Sequence, residues 1–586
     1  MSASGRRGLR YEPHEKPPPA LSFGLGLQIV VLSIAGIILV PTIVMRAGGA
    51  GENYLAWAVF ATVAICGATT ILHAIRVWRI GTGYLIVMGP SGAFIAVCAA
   101  AVAEGGPALL ATLVVVSSVL PLLLAARLPL FQRLLTPTVS ATVLMLIPVT
   151  VMPAVFGLLA AVPEETSGAA AALSALAALV VISGVALKAT GELRLWAPIM
   201  GVVAGSAVGA AFGLYDVDRV LAAPWLGVPT GEWAGFDLEF GPAFWALLPA
   251  FVLVTVIASI RTISGAVAIQ RISWRRPRVV DFRPVQGAVA VDGLSNLAAG
   301  LAGTTPNATT TVGASVTELT GVAARRVGIA TGTIFIAIAF LPKLLAVVLA
   351  IPGPVVAAYL GVLLAMLFIV GMHMAMQDGI DYRKGLIIGV SFWIGIGFQY
   401  DMIFPEQVSE FAGGLLRSGV TTGGIAAILM TLFVEMTGPR RSRIEMACDV
   451  SVLPLIRKFL GEFTARNEWD EVMAERLDAA CEETLLTLVQ RDGDSGEKPG
   501  KRHLRLAARR EGDEAVLEFV AAAQDDNIQD RLALIGDEPD GIPAEREMSL
   551  RLLRQLASSV RHQQFHGVDI VTVRVAAPAS TTDKRK

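Results

Sequence analysis

Charged residues are scarce in this sequence. They make up 16% of the 586 residues, whereas hydrophobic residues make up 54%. A soluble globular protein carries roughly 25% charged residues, so a purely soluble enzyme is excluded. The net charge of −1 excludes a nucleic-acid-binding protein, which would be strongly basic, and the high apolar content excludes a disordered chain.

Cysteine is also rare, with four residues in the whole chain. Four cysteines are too few for a disulfide framework, and no two of them have the spacing of metal ligands. The sequence also lacks a phosphate-binding loop of the Walker type and any recognisable catalytic triad. We therefore expect no metal, no cofactor and no enzymatic activity. Glycine and proline are abundant, at 58 and 31 residues, as in the broken helices of transporters.

Apolar stretches follow one another from Leu21 to about Gly438, separated by short polar breaks. Several approach the roughly 20 residues that a spanning helix needs. The third, ninth, tenth and thirteenth stretches are short or rich in Gly, Thr and Pro. The pattern predicts about fourteen spans, at 23–46, 54–75, 84–103, 107–126, 137–160, 168–188, 194–214, 242–268, 287–302, 306–322, 327–350, 354–375, 384–399 and 418–437.

The positions of the basic residues support this count. If the N-terminal tail, residues 1–20, is cytoplasmic, each even-numbered span should end at a cluster of Lys or Arg. Every one does, from Arg76 and Arg79 after the second span to Arg440 after the fourteenth, while the opposite loop at 215–241 is acidic. The alternation predicts a multi-pass protein of the lipid bilayer, in the inner membrane, with both termini in the cytoplasm.

Residues 439–586 have a different character, because they are charged. Helical periodicity covers 469–491 and 545–561, and strand-like runs cover 503–509, 515–522 and 568–576. This order predicts a small cytoplasmic α/β domain. The predicted fold class is therefore an all-α polytopic membrane domain over 21–438, followed by that α/β domain.

Two segments, 81–94 and 303–320, combine Gly, Pro and Thr at the expected depth of the mid-membrane. In the first, an extended run meets Gly89-Pro90, and proline at the first helical position is a start signal. In the second, a break at Pro306-Asn307 precedes a helix that starts among residues 309–311. The breaks lie in the third and tenth spans, so their separation of seven spans predicts a seven-plus-seven inverted repeat.

Irregular backbone at that depth is tolerated only where it lines a cavity or is buried in protein. The two helix N-termini would point at each other, and their free N–H groups favour acceptor or anionic ligand atoms. The breaks therefore predict a binding site. The alternative is that the small residues only allow close helix packing.

Thr305-Pro306-Asn307, followed by Glu318-Leu-Thr-Gly-Val-Ala-Ala-Arg-Arg326, resembles the tenth-span signature of the nucleobase–cation symporter and nucleobase–ascorbate transporter family. The runs 83–89, 266–275 and 291–296 are similar to those of bacterial uracil and xanthine permeases. The resemblance covers residues 20–438. It implies a core domain of spans 1–4 and 8–11, a gate domain of spans 5–7 and 12–14, an elevator-type motion and a homodimer.

The expected site departs from the family's pattern. The eighth-span glutamate that binds the base falls on Arg261, the third-span aromatic on Gly92, and the tenth-span acid–Asn pair on Val312 and Gly313. A buried Arg is expensive and must pair or meet a ligand. Arg261 is thus either a ligand residue or the structural partner of a carboxylate.

The resemblance and the breaks together give a set of candidate residues. Asp292 and Glu318 are the candidates for ion coupling, and either could also be the structural partner of Arg261. The candidates for substrate binding are Arg261, Gly89, Ser91, Gly92, Asn307, Thr311, Val312 and Gly313.

The leading hypothesis is a secondary active permease for a purine or pyrimidine nucleobase or a related heterocycle, coupled to H⁺ or Na⁺. A transporter of a small organic or inorganic anion is an alternative, motivated by Arg261 and the helix N-termini. A third hypothesis is a membrane sensor that binds a ligand and signals through residues 439–586.

The C-terminal domain faintly resembles the ATPase-type fold of histidine kinases and anti-sigma kinases. Glu482 stands where the nucleotide-binding Glu would be, but Thr487 replaces the expected Asn. Residues 525–530 lack the glycines that let a backbone approach a nucleotide. We therefore expect a degenerate regulatory or dimerising domain without ATP hydrolysis.

Overall fold

The structure is a computed structural model of the 586-residue chain. It divides into two compact units, one formed by residues 1–276 and 284–434 and the other by residues 277–283 and 435–586. The residues that it describes are 9–126, 137–160, 168–190, 192–229, 233–275, 278, 280–376, 382–404, 418–437, 442–489, 503–511, 514–521, 552–565 and 568–577.

In its described residues, the first unit is formed by helices and two short strands. The strands are β1 (Val87–Pro90) and β2 (Asn307–Thr310). The helices are α1 (Pro19–Ala47), α2 (Glu52–Ile75), α3 (Ile95–Ala126), α4 (Pro137–Gly157), α5 (Gly168–Lys188), α6 (Glu192–Leu195), α7 (Ala197–Ala211), α8 (Val217–Ala222), α9 (Pro242–Ile272), α10 (Phe282–Leu301), α11 (Val312–Thr320), α12 (Arg325–Ala339), α13 (Pro342–Leu349), α14 (Gly353–Met376), α15 (Tyr382–Gln399) and α16 (Gly419–Thr437).

Within the described residues, seven helices are long and apolar enough to cross a membrane on their own, and α12 with α13, bent by 85°, form an eighth candidate. The seven are α1, α2, α3, α4, α5, α9 and α14. The predicted third and fourth spans both contribute to α3, which is broken at Gly106, where φ is 72°. The predicted seventh span contains the shorter apolar helix α7, and the predicted tenth span is β2 followed by α11. The protein is a polytopic helical membrane protein with a seven-plus-seven inverted repeat.

The helices fall into two groups by their contacts. In the core group, α12 packs on α1 and α2, α9 packs on α3, and α10 packs on the second half of α3. In the gate group, α14 packs on α4 and α5, α7 packs on α5, and α15 packs on α4 and α16. The groups correspond to spans 1–4 with 8–11 and to spans 5–7 with 12–14. The predicted division into core and gate is confirmed.

The connection at 212–241 joins α7 of the gate group to α9 of the core group. Several of its described residues contact the core group. Arg219 forms an ion pair with Glu52 at 2.7 Å, and the Thr112 hydroxyl donates a hydrogen bond of 2.9 Å to the carbonyl oxygen of Asp237. This connection therefore lies against the core group.

The second unit contains a five-stranded sheet in the order β3-β4-β5-β7-β6, in which every neighbouring pair is antiparallel. Alternate side chains of the strands point to one face, where they form an apolar core with the two helices. The small α/β domain is thus present. Its elements are β3 (Ser442–Ala447), α17 (Leu453–Arg466), α18 (Glu471–Val489), β4 (His503–Glu511), β5 (Glu514–Ala521), β6 (Ser559–Gln564) and β7 (Asp569–Ala576).

One secondary-structure prediction in this unit is wrong. The helix predicted over 545–561 is helical at 552–556, but residues 559–564 form β6. Residues 545–551 lie outside the described residues. β6 is an edge strand that pairs with β7, and His562 and Gln564 are among its buried side chains. A strand with so polar a sequence gives no apolar alternation to detect.

Candidate functional site

The two strands of the first unit pair with each other as a ribbon. They are antiparallel, with Val87 opposite Thr310 and Pro90 opposite Asn307. Each strand leads directly into helix, β1 through a short 3₁₀ turn into α3 and β2 into α11. Because the strands are antiparallel, the two helix N-termini lie at opposite ends of the ribbon. The predicted relation of the two breaks by an inverted repeat is confirmed.

The helix starts differ slightly from those predicted. Pro90 ends β1 instead of starting a helix, and the 3₁₀ turn begins at Gly92. The fixed φ of proline suits extended backbone as well as helix, so the sequence did not distinguish the two. The N–H of Ser91 donates to the carbonyl oxygen of Pro306 at 3.2 Å, which continues the ribbon. Thr311 is the N-cap of α11, one residue before its first helical position.

Asn307 fixes the start of β2. Its backbone N–H donates to Oδ1 of Asn296 at 2.7 Å, and its Nδ2 donates to Oγ of Ser295 at 3.2 Å. The Sγ of Cys66 on α2 donates to its Oδ1 at 3.4 Å. The Asn307 side chain is fully buried. The structure therefore places this candidate as an anchor between α2 and α10.

Threonine side chains attach β2 and the chain before it to neighbouring helices. The Thr309 hydroxyl donates to Oγ1 of Thr262 on α9 at 3.2 Å. Thr304 and Thr62 share a hydrogen bond of 2.6 Å. Sequence reasoning did not single out these contacts individually. The dense threonine run after residue 303 is the signal that could have indicated them.

β1 is held by fewer side-chain contacts. The N–H of Met88 donates to Oγ1 of Thr70 at 3.0 Å, and Nε2 of His73 lies 3.3 Å from its Sδ. A Cβ placed on Gly89 would lie 2.9 Å from Cγ2 of Thr310. Gly89 thus allows the two strands to pack closely.

Ser91, Gly92 and Gly313 lie next to the ends of the ribbon. Ser91 is buried, and its hydroxyl has no hydrogen-bond partner in the described part of the chain. A Cβ on Gly313 would lie 2.7 Å from the carbonyl oxygen of Leu85, so this glycine serves close packing. A Cβ on Gly92 would lie 3.0 Å from Cδ2 of Leu363 on α14. Gly92 therefore lies at the boundary between core and gate.

α14 adds a second side chain at that boundary. Tyr359 is 9% exposed, and its hydroxyl lies 3.2 Å from the position of a Cβ on Gly36 of α1. Sequence reasoning did not single out Tyr359. The available signal was that it is the one hydroxyl-bearing side chain in the predicted span 354–375.

The candidates on α11 are more accessible. Thr311 is exposed and Val312 is partly buried. Glu318 is exposed and lies near the end of α11. Within the described residues, Glu318 forms no ion pair with Arg261.

Arg261 lies on α9 and Asp292 on α10, near enough for their charges to influence each other. Arg261 is partly buried, and Asp292 is 2% exposed. Neither carboxylate oxygen of Asp292 has a hydrogen-bond partner in the part of the chain that the structure describes. The two charges act on each other electrostatically but form no direct ion pair. The structure thus places two of the candidates, Arg261 and Asp292, in the same region of the core group.

In the second unit, the positions compared with a nucleotide site are engaged. Glu482 forms an ion pair of 3.0 Å with Arg457 of α17. The Thr487 hydroxyl donates to the carbonyl oxygen of Glu483 at 2.7 Å. The faint resemblance of this unit to an ATPase-type fold stays a prediction.

Comparisons with known proteins concern the membrane unit. A family model described as a permease family, Xan_ur_permease, matches residues 21–403. Xanthine permease XanP of Escherichia coli (strain K12) is 26% identical over 443 residues, covering 72% of this chain and 94% of XanP. Uric acid permease PucK of Bacillus subtilis (strain 168) is 27% identical over 435 residues, covering 72% of this chain and 97% of PucK. The transmembrane domain of a cyanobacterium bicarbonate transporter, BicA, is 16% identical with a TM-score of 0.42, covering 72% of this chain and 100% of that chain.

Proposed function

Because the chain belongs to the nucleobase–ascorbate transporter family of permeases, we propose that it is a secondary active transporter of a purine or pyrimidine nucleobase or a related heterocycle. The observation that carries the proposal is the paired ribbon of β1 and β2, with a helix N-terminus at each end and the gate helix α14 beside one of them. A flat ring with carbonyl oxygens is a suitable ligand for such a site.

The ring carbonyls accept hydrogen bonds from the free N–H groups that follow Ser91 and Thr311. Gly92 and Val312 are the first residues of the two helical segments, where the ring would lie. Arg261 supplies the positive charge of the site. Gly89, Asn307 and Gly313 act indirectly, because they hold the ribbon in shape.

Transport follows an elevator-type motion in which the core group moves along the gate group. The separate packing of the two groups supports this assignment. The cycle is driven by H⁺ or Na⁺, and Asp292 is better suited to coupling than Glu318 because it is buried. The protein resides in the inner membrane as a homodimer, with both termini and the α/β unit in the cytoplasm, as the distribution of basic residues favours.

Uptake of radiolabelled xanthine, urate and uracil into proteoliposomes tests the proposal. We expect saturable uptake of at least one base and competition by unlabelled bases. Absence of both uptake and ligand-induced thermal stabilisation for every base would contradict it. Stabilisation without uptake would instead favour the sensor hypothesis.

A small organic or inorganic anion is the second candidate substrate. The unpaired guanidinium of Arg261 favours it, because the family has a glutamate at this position. Competition by a simple carboxylate or by bicarbonate that exceeds competition by every base would select this candidate.

A further inference from the structure

We propose that the short hairpin at residues 77–80, which follows α2, binds the headgroup of an anionic phospholipid. Its phosphate lies on Arg79, and the indole of Trp78 lies beside it at the surface of the bilayer. The inference concerns a contact with the membrane and does not depend on which substrate is transported. Two observations carry it: a strained turn that displays a large aromatic side chain, and an exposed arginine stacked on that side chain.

The hairpin is closed by two backbone hydrogen bonds. The N–H of Val77 donates to the carbonyl oxygen of Ile80 at 2.9 Å, and the N–H of Ile80 donates to the carbonyl oxygen of Val77 at 2.9 Å. Trp78 and Arg79 are the two central residues of the turn. Trp78 has a φ of 56°, a conformation for which two-residue turns favour glycine, asparagine or aspartate. A tryptophan held there indicates that its side chain serves a function other than folding.

The side chains of this region are apolar and exposed. Trp78 is 79% exposed and Val77 is 54% exposed. α2, which is long and apolar enough to cross a membrane, ends at Ile75, which is also exposed. The hairpin therefore begins where the chain leaves the apolar part of the bilayer. Tryptophan is enriched at this depth, because its ring is apolar and its N–H group is polar.

Arg79 supplies the positive charge. Its guanidinium carbon lies 5.1 Å from the centroid of the Trp78 ring, which is the geometry of a cation–π contact. Arg79 is exposed and forms no ion pair with a described residue. The sequence from residue 53 to residue 103 contains no acidic side chain. The guanidinium fork matches two oxygens of a phosphate group, so a phosphate fits beside the ring.

The location of the hairpin identifies the source of that phosphate. At the end of a spanning helix, the phosphates present at high density are those of the lipid headgroups. A cationic segment at this surface is attracted to anionic lipids. The apolar side chains of Val77 and Trp78 contact the upper part of the acyl chains, which a soluble phosphate does not offer. The combination therefore fits an anionic phospholipid.

The base of the hairpin is fixed to the core group. The N–H of Gly81 donates to the carbonyl oxygen of Gly287 on α10 at 3.1 Å, and the N–H of Gly83 donates to the carbonyl oxygen of His73 on α2 at 2.8 Å. The Cδ of Arg76 lies 3.8 Å from the position of a Cβ on Gly83, so this arginine runs back along the base. A site held in this way is ordered before the lipid binds, which lowers the entropic cost of binding.

The test uses the purified full-length protein in bilayers of phosphatidylcholine to which phosphatidylglycerol with brominated acyl chains is added. Bromine quenches indole fluorescence on contact. The contribution of Trp78 is the difference between the unmodified protein and Trp78→Phe. We expect half of this contribution to be quenched at about a fivefold lower mole fraction of brominated phosphatidylglycerol than of brominated phosphatidylcholine.

Arg79→Gln should abolish this preference, so that both brominated lipids quench Trp78 at the same mole fraction. Arg79→Lys keeps the charge but loses the planar contact with the ring, and we expect a preference between those of the other two proteins. Arg194→Gln is the control, because it removes an exposed arginine of the gate group. It should leave the preference unchanged.

A second measurement tests the strain. Trp78→Gly places in the turn a residue that adopts positive φ freely, so the melting temperature in detergent should stay the same or rise. A clear fall would show that the indole packs within the protein and would overturn the inference.

The remaining outcomes distinguish the other occupants. Trp78 that no brominated lipid quenches would show that another part of this chain or a second copy covers the hairpin. Quenching that inorganic phosphate relieves at constant ionic strength would show a site for soluble phosphate. An equal preference in Arg79→Gln and the unmodified protein would show that the arginine binds no headgroup. Each of these three results would overturn the inference, and none of them bears on the proposed substrate.

Discussion

The two strands of the ribbon have the same backbone role but are held by different chemistry. β2 is anchored by side-chain hydrogen bonds from Asn307 and Thr309 to three helices, α2, α9 and α10. β1 is bonded by side chains of one helix, α2, through Thr70 and His73, and by the Thr310 hydroxyl, which donates to the carbonyl oxygen of Val87 at 3.0 Å. An inverted repeat thus preserves geometry without preserving interactions. The polar anchors and the candidate charges, Arg261 and Asp292, are concentrated in the second repeat.

The N-terminal segment adds to this asymmetry. The N–H of Arg10 donates to the carbonyl oxygen of Gly321 at 2.7 Å, and the N–H of Ala323 donates to the carbonyl oxygen of Tyr11 at 2.9 Å. Arg275, just after α9, forms an ion pair of 2.7 Å with Glu15. Residues 9–16 therefore attach to the second repeat at two places, just after α11 and just after α9.

The largest effect should come from removing the central anchor of β2. Asn307→Ala leaves Ser295 and Cys66 without their partner in a buried site, and we expect a loss of about 3 kcal/mol. Pro90→Ala, at the position opposite in the ribbon, should cost less than about 1 kcal/mol, because the Pro90 side chain has no hydrogen bond to lose. Thermal or denaturant unfolding of the purified variants measures both. Equal losses would remove the asymmetry between the strands.

A smaller difference in stability loss is expected between alanine substitutions of the ribbon glycines in the two repeats. Gly313→Ala places a methyl group against the backbone oxygen of Leu85, which cannot rotate away, so we expect a loss of about 1–3 kcal/mol. Gly89→Ala meets the side chain of Thr310, which can rotate, and should cost less. Gly24→Ala is the control, because no atom lies within 4 Å of the added methyl group. A greater loss for Gly89→Ala than for Gly313→Ala in the same melting measurements would contradict this ranking.

The smallest effect concerns the N-terminal segment. The hydrogen bond from Arg275 holds the pKa of the Glu15 carboxyl below its usual range. A group whose pKa is lowered in the folded state contributes stability above its ordinary pKa and loses it as the pH falls through the lowered value. The attachment of residues 9–16 should thus be complete at neutral pH and weaken in acid. Hydrogen exchange of this segment as a function of pH measures it.

Glu15→Gln should remove that dependence, since it cannot ionise. The exchange of residues 9–16 would then be faster at neutral pH and would change little on acidification, apart from the intrinsic exchange rate. A segment that is equally protected in both proteins at neutral pH would show that the ion pair does not hold it.

The positions of the breaks could be predicted from the sequence because proline, glycine and threonine interrupt otherwise apolar spans. The division between the two halves of α3 was predicted for the same reason, since Gly106 adopts a conformation that other residues avoid. The pairing of β1 with β2 could not be predicted, because strands of four residues have no usable alternation.

The direction of the Asn307 side chain could also not be predicted from the sequence. Its orientation depends on Cys66 and Asn296, which come from helices that are distant in the chain. The departure from the family's pattern at position 261 could be detected in the sequence, because Arg261 is a charged residue inside an apolar span. Its unpaired state depends on where α10 places Asp292, which only packing decides. β6 was missed because its side chains are as polar as those of a surface helix.

The connection between α7 and α9 determines where a reporter of movement should be attached. Gly213, with φ of 73°, ends the gate helix α7, and the described chain after it contacts the core group. A fluorophore on Leu226, which is 76% exposed, would therefore travel with the core group although it precedes α9 in the chain. With a second dye on the gate helix α5, movement of the core group would change the efficiency of resonance energy transfer between the two dyes.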